Sequence, residues 1–200
     1  KVLYVCLKYA PGTDFINETI DKGFIPALEL FSKLSIFYYD HCINDEIQLS
    51  KALYRAIDNV KPDLILFDTY LDTFDKALLF RLKRSHITAA WFGDDQWRFD
   101  DFSSKYANCY TFIITTDKYA IHKYNKLGQN NVILSNWGAI YSPETNILDC
   151  NYERDLIFVG SIHPYRKWFV NRLEKLGYNI EAFGPGWNSD KLTLTEMQSI

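Results

Sequence analysis

Hydrophobic positions along the chain follow two alternating patterns. Short, almost wholly apolar runs at residues 2–7, 35–40, 63–67, 87–92, 110–115 and 132–134 predict strands. Strands buried on both faces lose the in–out alternation of half-exposed ones, so continuous apolar runs fit a covered parallel sheet. Helical spacing fills the intervals. It runs through Ile20, Phe24, Ala27, Leu28 and Phe31 over 19–34, where Pro26 is expected to kink or split the helix. It recurs over 45–60 through Leu49, Ala52, Leu53, Ala56 and Ile57, then over 74–83, and over 118–127 with Gly128 closing the last turn. Strands joined by helices of this length imply right-handed crossovers and helices on both faces of one sheet.

The pattern lapses after Gly138. Residues 139–153 hold Pro143 and several Asn and Asp without a sustained period, and are expected to form a linker. A strand at 156–159, a helix at 164–176 and a strand at 179–183 then begin again. Thr195 and Gln198 have capping-box spacing, and the helix they open stops in its first turn. With 200 residues, the expected organisation is a complete α/β domain over 1–138 and the start of a second over 154–200 that continues beyond this chain.

Composition narrows the function classes. Apolar residues make up 48% and charged residues 24%, the balance of a folded domain rather than a disordered tail or coiled coil. Net charge is −3, from 22 basic and 25 acidic residues, so a nucleic-acid partner is not expected. No polybasic block points to an anionic membrane, and no apolar run predicts a transmembrane segment. The first residues look like a strand rather than a signal peptide, and a cytoplasmic setting is expected. Cys6, Cys42, Cys109 and Cys150 have no C-x-x-C spacing, which speaks against a zinc or dithiol site, and Cys6 and Cys109 fall in apolar runs as core residues do. The aromatic share is 16%, which suits either a bulky core or a ring-lined ligand face.

Candidate chemistry gathers in two places. In LIFVGSIHPYRKW, residues 156–168, a strand ends at Gly160, Ser161 to His163 turn the chain, and Pro164 suits a helix start. Free amides there can hold an anion. Arg166 and Lys167 in that first turn oppose the helix dipole by about 0.3–1 kcal/mol each unless an anion is bound. A plain strand–turn–helix with solvated cations explains the same residues. Downstream, FGPGW at 183–187 offers Gly184 for close backbone approach and Trp187 to cover a base or sugar, or forms an ordinary turn. In the first domain, WFGDD at 91–95 follows the fourth strand, and ligands of open parallel sheets bind beyond the carboxyl ends of strands. Asp94 or Asp95 would serve there as a general base or hold a hydroxyl; the alternative is a solvated, capping turn. Asp68 after the third strand, Asn136 and Trp137 after the sixth, and Gly12 in the loop after the first point the same way. No G-x-G-x-x-G, Walker, G-x-S-x-G or H-E-x-x-H motif occurs.

WFGDD, SNWG before the linker, DLIFVGSIHPYRKWFVNRLEKLG and FGPGW together resemble the CgeB-like, spore-maturation-type glycosyltransferases of the GT-B superfamily. The resemblance is best from Asp155 to Trp187 and looser before Trp91. It implies two Rossmann-like domains facing across a cleft, the first binding the acceptor and the second a nucleotide-sugar donor. On position, Gly160, Ser161, Arg166 and Lys167 match the donor-phosphate turn, Gly184 and Trp187 the next donor-side loop, and Asp94 and Asp95 the acidic pair of the cleft. The implied reaction moves a sugar to an acceptor hydroxyl on a glycan, lipid-linked glycan or protein, with no metal and no permanently bound cofactor. A sugar-nucleotide epimerase of the same fold, or a non-catalytic interaction module derived from a transferase, are the alternatives.

Overall fold

The computed structural model describes residues 1–11, 13–138 and 155–187. The expected linker, the helix opening at Thr195 and Gly12 lie outside the described residues. The chain divides into two compact units, Lys1–Tyr141 and Ser142–Ile200.

The first unit is an α/β domain around six strands, all parallel: β1 (Val2–Cys6), β2 (Leu34–Tyr38), β3 (Leu64–Asp68), β4 (Thr88–Phe92), β5 (Phe112–Thr115) and β6 (Val132–Leu134). Their spatial order is 2-1-3-4-5-6. Val2 faces Leu34 on one side and Leu64 on the other, so β1 is an interior strand, next to the edge strand β2. The chain builds outward from β1 to β2, crosses back to β3, and proceeds the other way. The strand order therefore reverses between β1 and β3, and a crevice opens beyond their carboxyl ends.

Successive side chains of a strand point to opposite faces. Leu3 and Val5 enter one apolar cluster with Ile65, Phe67, Ala90, Phe92 and Ile113. Tyr4 and Cys6 enter the other with Leu66 and Ala89. On the first face lie α2 (Glu46–Val60), with Leu49, Leu53 and Ile57 buried at fourfold spacing, and α3 (Lys76–Ser85), with Leu78, Leu79 and Leu82 buried. Asp45 and Asp75 cap these helices by accepting from the amides of Gln48 and Leu78. α6 (Ala120–Lys126) adds Ala120 and Tyr124 to the same face. The second face is covered by a helical segment that packs Ile20, Phe24, Ile25 and Leu28 on the sheet.

That segment shows how Pro26 acts. A π-helical stretch, Thr19–Phe24, runs straight into α1 (Ile25–Glu29), which carries Pro26 in its first turn. Proline has no N–H to continue the α-ladder and crowds the preceding turn, so the wider winding comes just before it. α1 ends at Glu29, five residues before the expected helix end at 34, and Leu30 and Phe31 are exposed.

A larger difference lies between β4 and β5. Residues 95–109, to which the sequence pattern assigned no element, are helical throughout: α4 (Asp95–Arg98), a π-helical turn at Phe99–Ser103, α5 (Ser104–Tyr106) and a 3-10 turn at Ala107–Cys109. Phe99, Phe102 and Tyr106 are buried at three- and four-residue spacing, so the helical signal was present between the charges.

The second unit's described residues form two parallel strands, β7 (Leu156–Val159) and β8 (Ile180–Phe183), joined by α7 (Pro164–Lys175). Pro164 sits at its start and the His163 ring accepts from the Tyr165 amide at 3.4 Å. Cys6 and Cys109 are buried in the first unit, and Cys42 is half-buried.

Candidate functional site

A cleft of about 340 Å³ opens at the β1–β3 reversal. The strand ends supply its walls in turn. After β1 come Leu7 and the loop that leads to Asn17 and Thr19; β3 ends at Asp68, with Tyr70 beyond; Asp94 follows β4; Phe24 and Trp137 close the sides. A smaller lobe of about 70 Å³ shares Asp68, Tyr70, Asp94 and Trp137, and adds Thr69, Trp91, Gly93 and Arg98. The β1 loop is held down from β2: the Asp40 carboxylate accepts from the amides of Lys8 at 2.7 Å and Tyr9 at 3.1 Å.

Asp68 is the most perturbed carboxylate of the cleft. Burial pushes its pKa up to about 6, against the pull of the Tyr4 hydroxyl, which donates to Oδ2 at 3.1 Å; the charge of Asp94 raises it further. The neighbours respond in kind. Burial, with Asp68 alongside, holds the Tyr4 hydroxyl and the Cys6 thiol above their ordinary range. The Tyr39 hydroxyl, also pushed up by burial, donates to the Asp68 carbonyl at 3.4 Å. A carboxyl group with a pKa near 6 is poised for proton transfer close to neutral pH.

The two aspartates read together in the sequence separate in space. Asp94 lines both lobes. Asp95 turns inward and is 1% exposed. Its Oδ2 accepts from Thr115 Oγ1 at 2.6 Å and the Tyr124 hydroxyl at 2.9 Å. Burial raises its pKa against these hydrogen bonds. Asp95 thus ties α4 to β5 and α6 and fixes the turn that presents Asp94. The Gly93 carbonyl is anchored at the same time, accepting from Thr116 Oγ1 at 2.6 Å and Trp137 Nε1 at 3.2 Å.

Glycine is required at that turn. A Cβ on Gly93 would collide with the Trp137 ring and meet Trp91 Nε1. Trp137 stands edge-on to Trp91 with centroids 5.7 Å apart, and Phe24 meets Trp91 at 5.1 Å, giving one wall of rings. In the smaller lobe Arg98 donates to the Tyr70 carbonyl at 2.6 Å, with its guanidinium 4.4 Å from the Tyr70 ring and 4.3 Å from the Phe102 ring. Trp91 lies in the WFGDD run that the sequence marked, but it was given no role there, and neither were Phe24, Tyr70 and Arg98. A ring or cation gains meaning there only from what it faces. Asn136 is exposed and lines neither lobe.

In the second unit the turns after β7 and β8 are laced together. The Gly160 amide donates to Phe183 O at 2.8 Å, Ile162 N to Pro185 O at 2.8 Å, and Trp187 Nε1 to Gly160 O at 2.8 Å. Gly184 has φ +121°, and a Cβ there would strike the Gly160 backbone, so both conformation and contact demand glycine. Arg166 folds back on the turn: Nη1 donates to the Ser161 carbonyl at 2.9 Å and hydroxyl at 3.2 Å. Lys167 is exposed.

Among the described residues no helix is long and apolar enough to cross a membrane. No group of three or more His, Cys, Asp or Glu among them is placed to hold a metal ion. The fold is an α/β, Rossmann-like arrangement on a parallel sheet. Comparison of the chain with known protein families and with curated proteins returned no match.

Proposed function

We propose that this chain is a glycosyltransferase, or a piece of one, that moves a sugar from a nucleotide-sugar donor to an acceptor hydroxyl. The cleft at the strand ends of the first unit carries the reading: ionisable carboxylates face a wall of aromatic rings across a space of about 340 Å³. Sugars suit that combination, because their C–H faces pack on rings while their hydroxyls hydrogen-bond to carboxylates. The acceptor hydroxyl gives its proton to Asp68 or Asp94, its oxygen bonds to the anomeric carbon, and the bond to the donor diphosphate breaks. Asp68, with a pKa near 6, is mostly ionised at neutral pH and serves as that base. In the second unit, the amides that open α7 with Arg166 and Lys167 take the leaving diphosphate, and Gly184 and Trp187 lie on the neighbouring turn. Cations and amides then do what a metal would do elsewhere, so the reading needs no metal or resident cofactor.

Incubating the chain with a panel of nucleotide sugars and sugar acceptors tests this, with released nucleoside diphosphate and acceptor mass as readouts. Transfer is expected to fall by about a hundredfold or more in Asp68→Asn, the usual range for loss of a general base. Release of an epimerised sugar with no change in acceptor mass, or failure of every nucleotide sugar and nucleoside diphosphate of the panel to bind the chain in calorimetric titration, would overturn it.

A further inference from the structure

We propose that the larger lobe of the cleft takes an acceptor bearing a primary ammonium group, an amino sugar, whose nitrogen is held by Asp94 beside the charge of Asp68 while Phe24, Tyr70 and Trp137 pack on its carbon face. This deepens the sugar-acceptor reading above and rests on it. The charge balance of the lobe is the first argument. Asp68 and Asp94 both line it, and none of its described lining residues is cationic. The ion pairs found among the described residues join Lys1 to Asp63, Lys22 to Glu18 and Lys123 to Asp100, so neither cleft carboxylate has a partner in them. Arg98 borders only the smaller lobe, where the Tyr70 carbonyl and the rings of Tyr70 and Phe102 engage it. Lys8, on the loop after β1, has its Nζ 5.4 Å from the Tyr9 ring centroid.

Two like charges at the mouth of one cleft repel, and a neutral ligand that displaces water from them makes this worse. An ammonium group removes the repulsion. It donates to Asp94 and leaves Asp68 for the acceptor hydroxyl, and the negative faces of the surrounding rings favour a cation as well. The second argument is a donor without an acceptor. Trp91 is 9% exposed, and its Nε1–H, beside Gly93 in the wall of the smaller lobe, has no hydrogen-bond partner. A buried indole N–H normally finds one, and a ligand hydroxyl oxygen supplies it. Acidic residues, rings and an idle donor together describe a molecule that is hydroxylated and positively charged.

The test titrates glucosamine, glucose, N-acetylglucosamine and glucuronate into the whole chain at about pH 7, above the pKa of Asp68, following tryptophan fluorescence and heat. Glucosamine is expected to bind at least about tenfold more tightly than glucose, the usual gain from a hydrogen bond between charged groups. N-acetylglucosamine should match glucose, and glucuronate should bind most weakly. In Asp94→Asn, and independently in Asp68→Asn, the ratio of glucosamine to glucose affinity should fall towards one, whatever either change does to glucose itself. Equal affinity for glucose and glucosamine, or preference for glucuronate, overturns the ammonium assignment and leaves the sugar site standing. Failure of all four sugars to bind overturns the acceptor reading and this inference with it.

Discussion

Replacing Asp68 by Asn should make the protein more stable at neutral pH. The variant keeps the size of the side chain and an oxygen to accept from Tyr4, and removes only the charge. Folding raises this carboxyl's pKa from 3.8 to about 6, so the folded state holds the proton more tightly than the unfolded chain. The stability linked to that proton is fully present below about pH 3.8 and is lost as pH rises through about 6. At 1.36 kcal/mol per pH unit the full effect is about 3 kcal/mol. The cleft is partly open and water screens the charge, so about 2 kcal/mol is expected. The groups facing Asp68 are Tyr4 and Cys6 from β1, Tyr39 after β2 and Asp94 after β4, none of them cationic near neutral pH. Asp95 is shifted in the same direction, and comparing the two proteins at each pH cancels its share. Urea unfolding from pH 4 to 8 provides the assay. The stability difference should move by about 2 kcal/mol in favour of Asn across that range, mostly between pH 4 and 6. A difference independent of pH, or one that moves in favour of Asp as pH rises, would refute the reasoning. A gain in stability with a loss of ligand binding is the mark of a residue kept for function.

Three further outcomes are expected. Gly93→Ala should cost about 1–3 kcal/mol by urea unfolding, because its Cβ meets the Trp137 ring; adding Trp137→Ala should recover most of that loss, and no recovery would place the strain elsewhere. Tyr124→Phe removes a hydrogen bond to the buried Asp95 carboxylate and should destabilise by about 1–3 kcal/mol; an effect within error would mean that water replaces the hydroxyl. On the proposed donor role, Arg166→Ala should weaken nucleoside diphosphate binding by about 1.5–3 kcal/mol in calorimetric titration; unchanged affinity would leave Arg166 only the Ser161 contacts seen here.

The sequence by itself determined the architecture of the first unit. Six apolar runs became six parallel strands, and helices at apolar spacing covered both faces of the sheet. These features are local: a run of Val, Ile, Leu and Phe has few ways to hide from water, and Asp45 and Asp75 cap the helices they precede. Pro26 was legible for the same reason, since its missing N–H acts on its own turn. The helical segment after β4 was hidden by its charges, although Phe99, Phe102 and Tyr106 carried its period.

Tertiary structure decided the site. Asp94 and Asp95 are adjacent and chemically identical, and only the positions of Thr115 and Tyr124 turn one inward and leave the other on the cleft. Asp68 could be named as a strand-end residue, but its raised pKa comes from burial beside Tyr4 and from Asp94, residues 64 and 26 positions away in the chain. Trp137 acquires its place against Gly93 and Trp91 from the sheet order, which brings the end of β6 near the end of β4. Local pattern fixes which residues seek the interior. Which polar groups then meet, and at what electrostatic cost, depends on distances that exist only after the chain has folded.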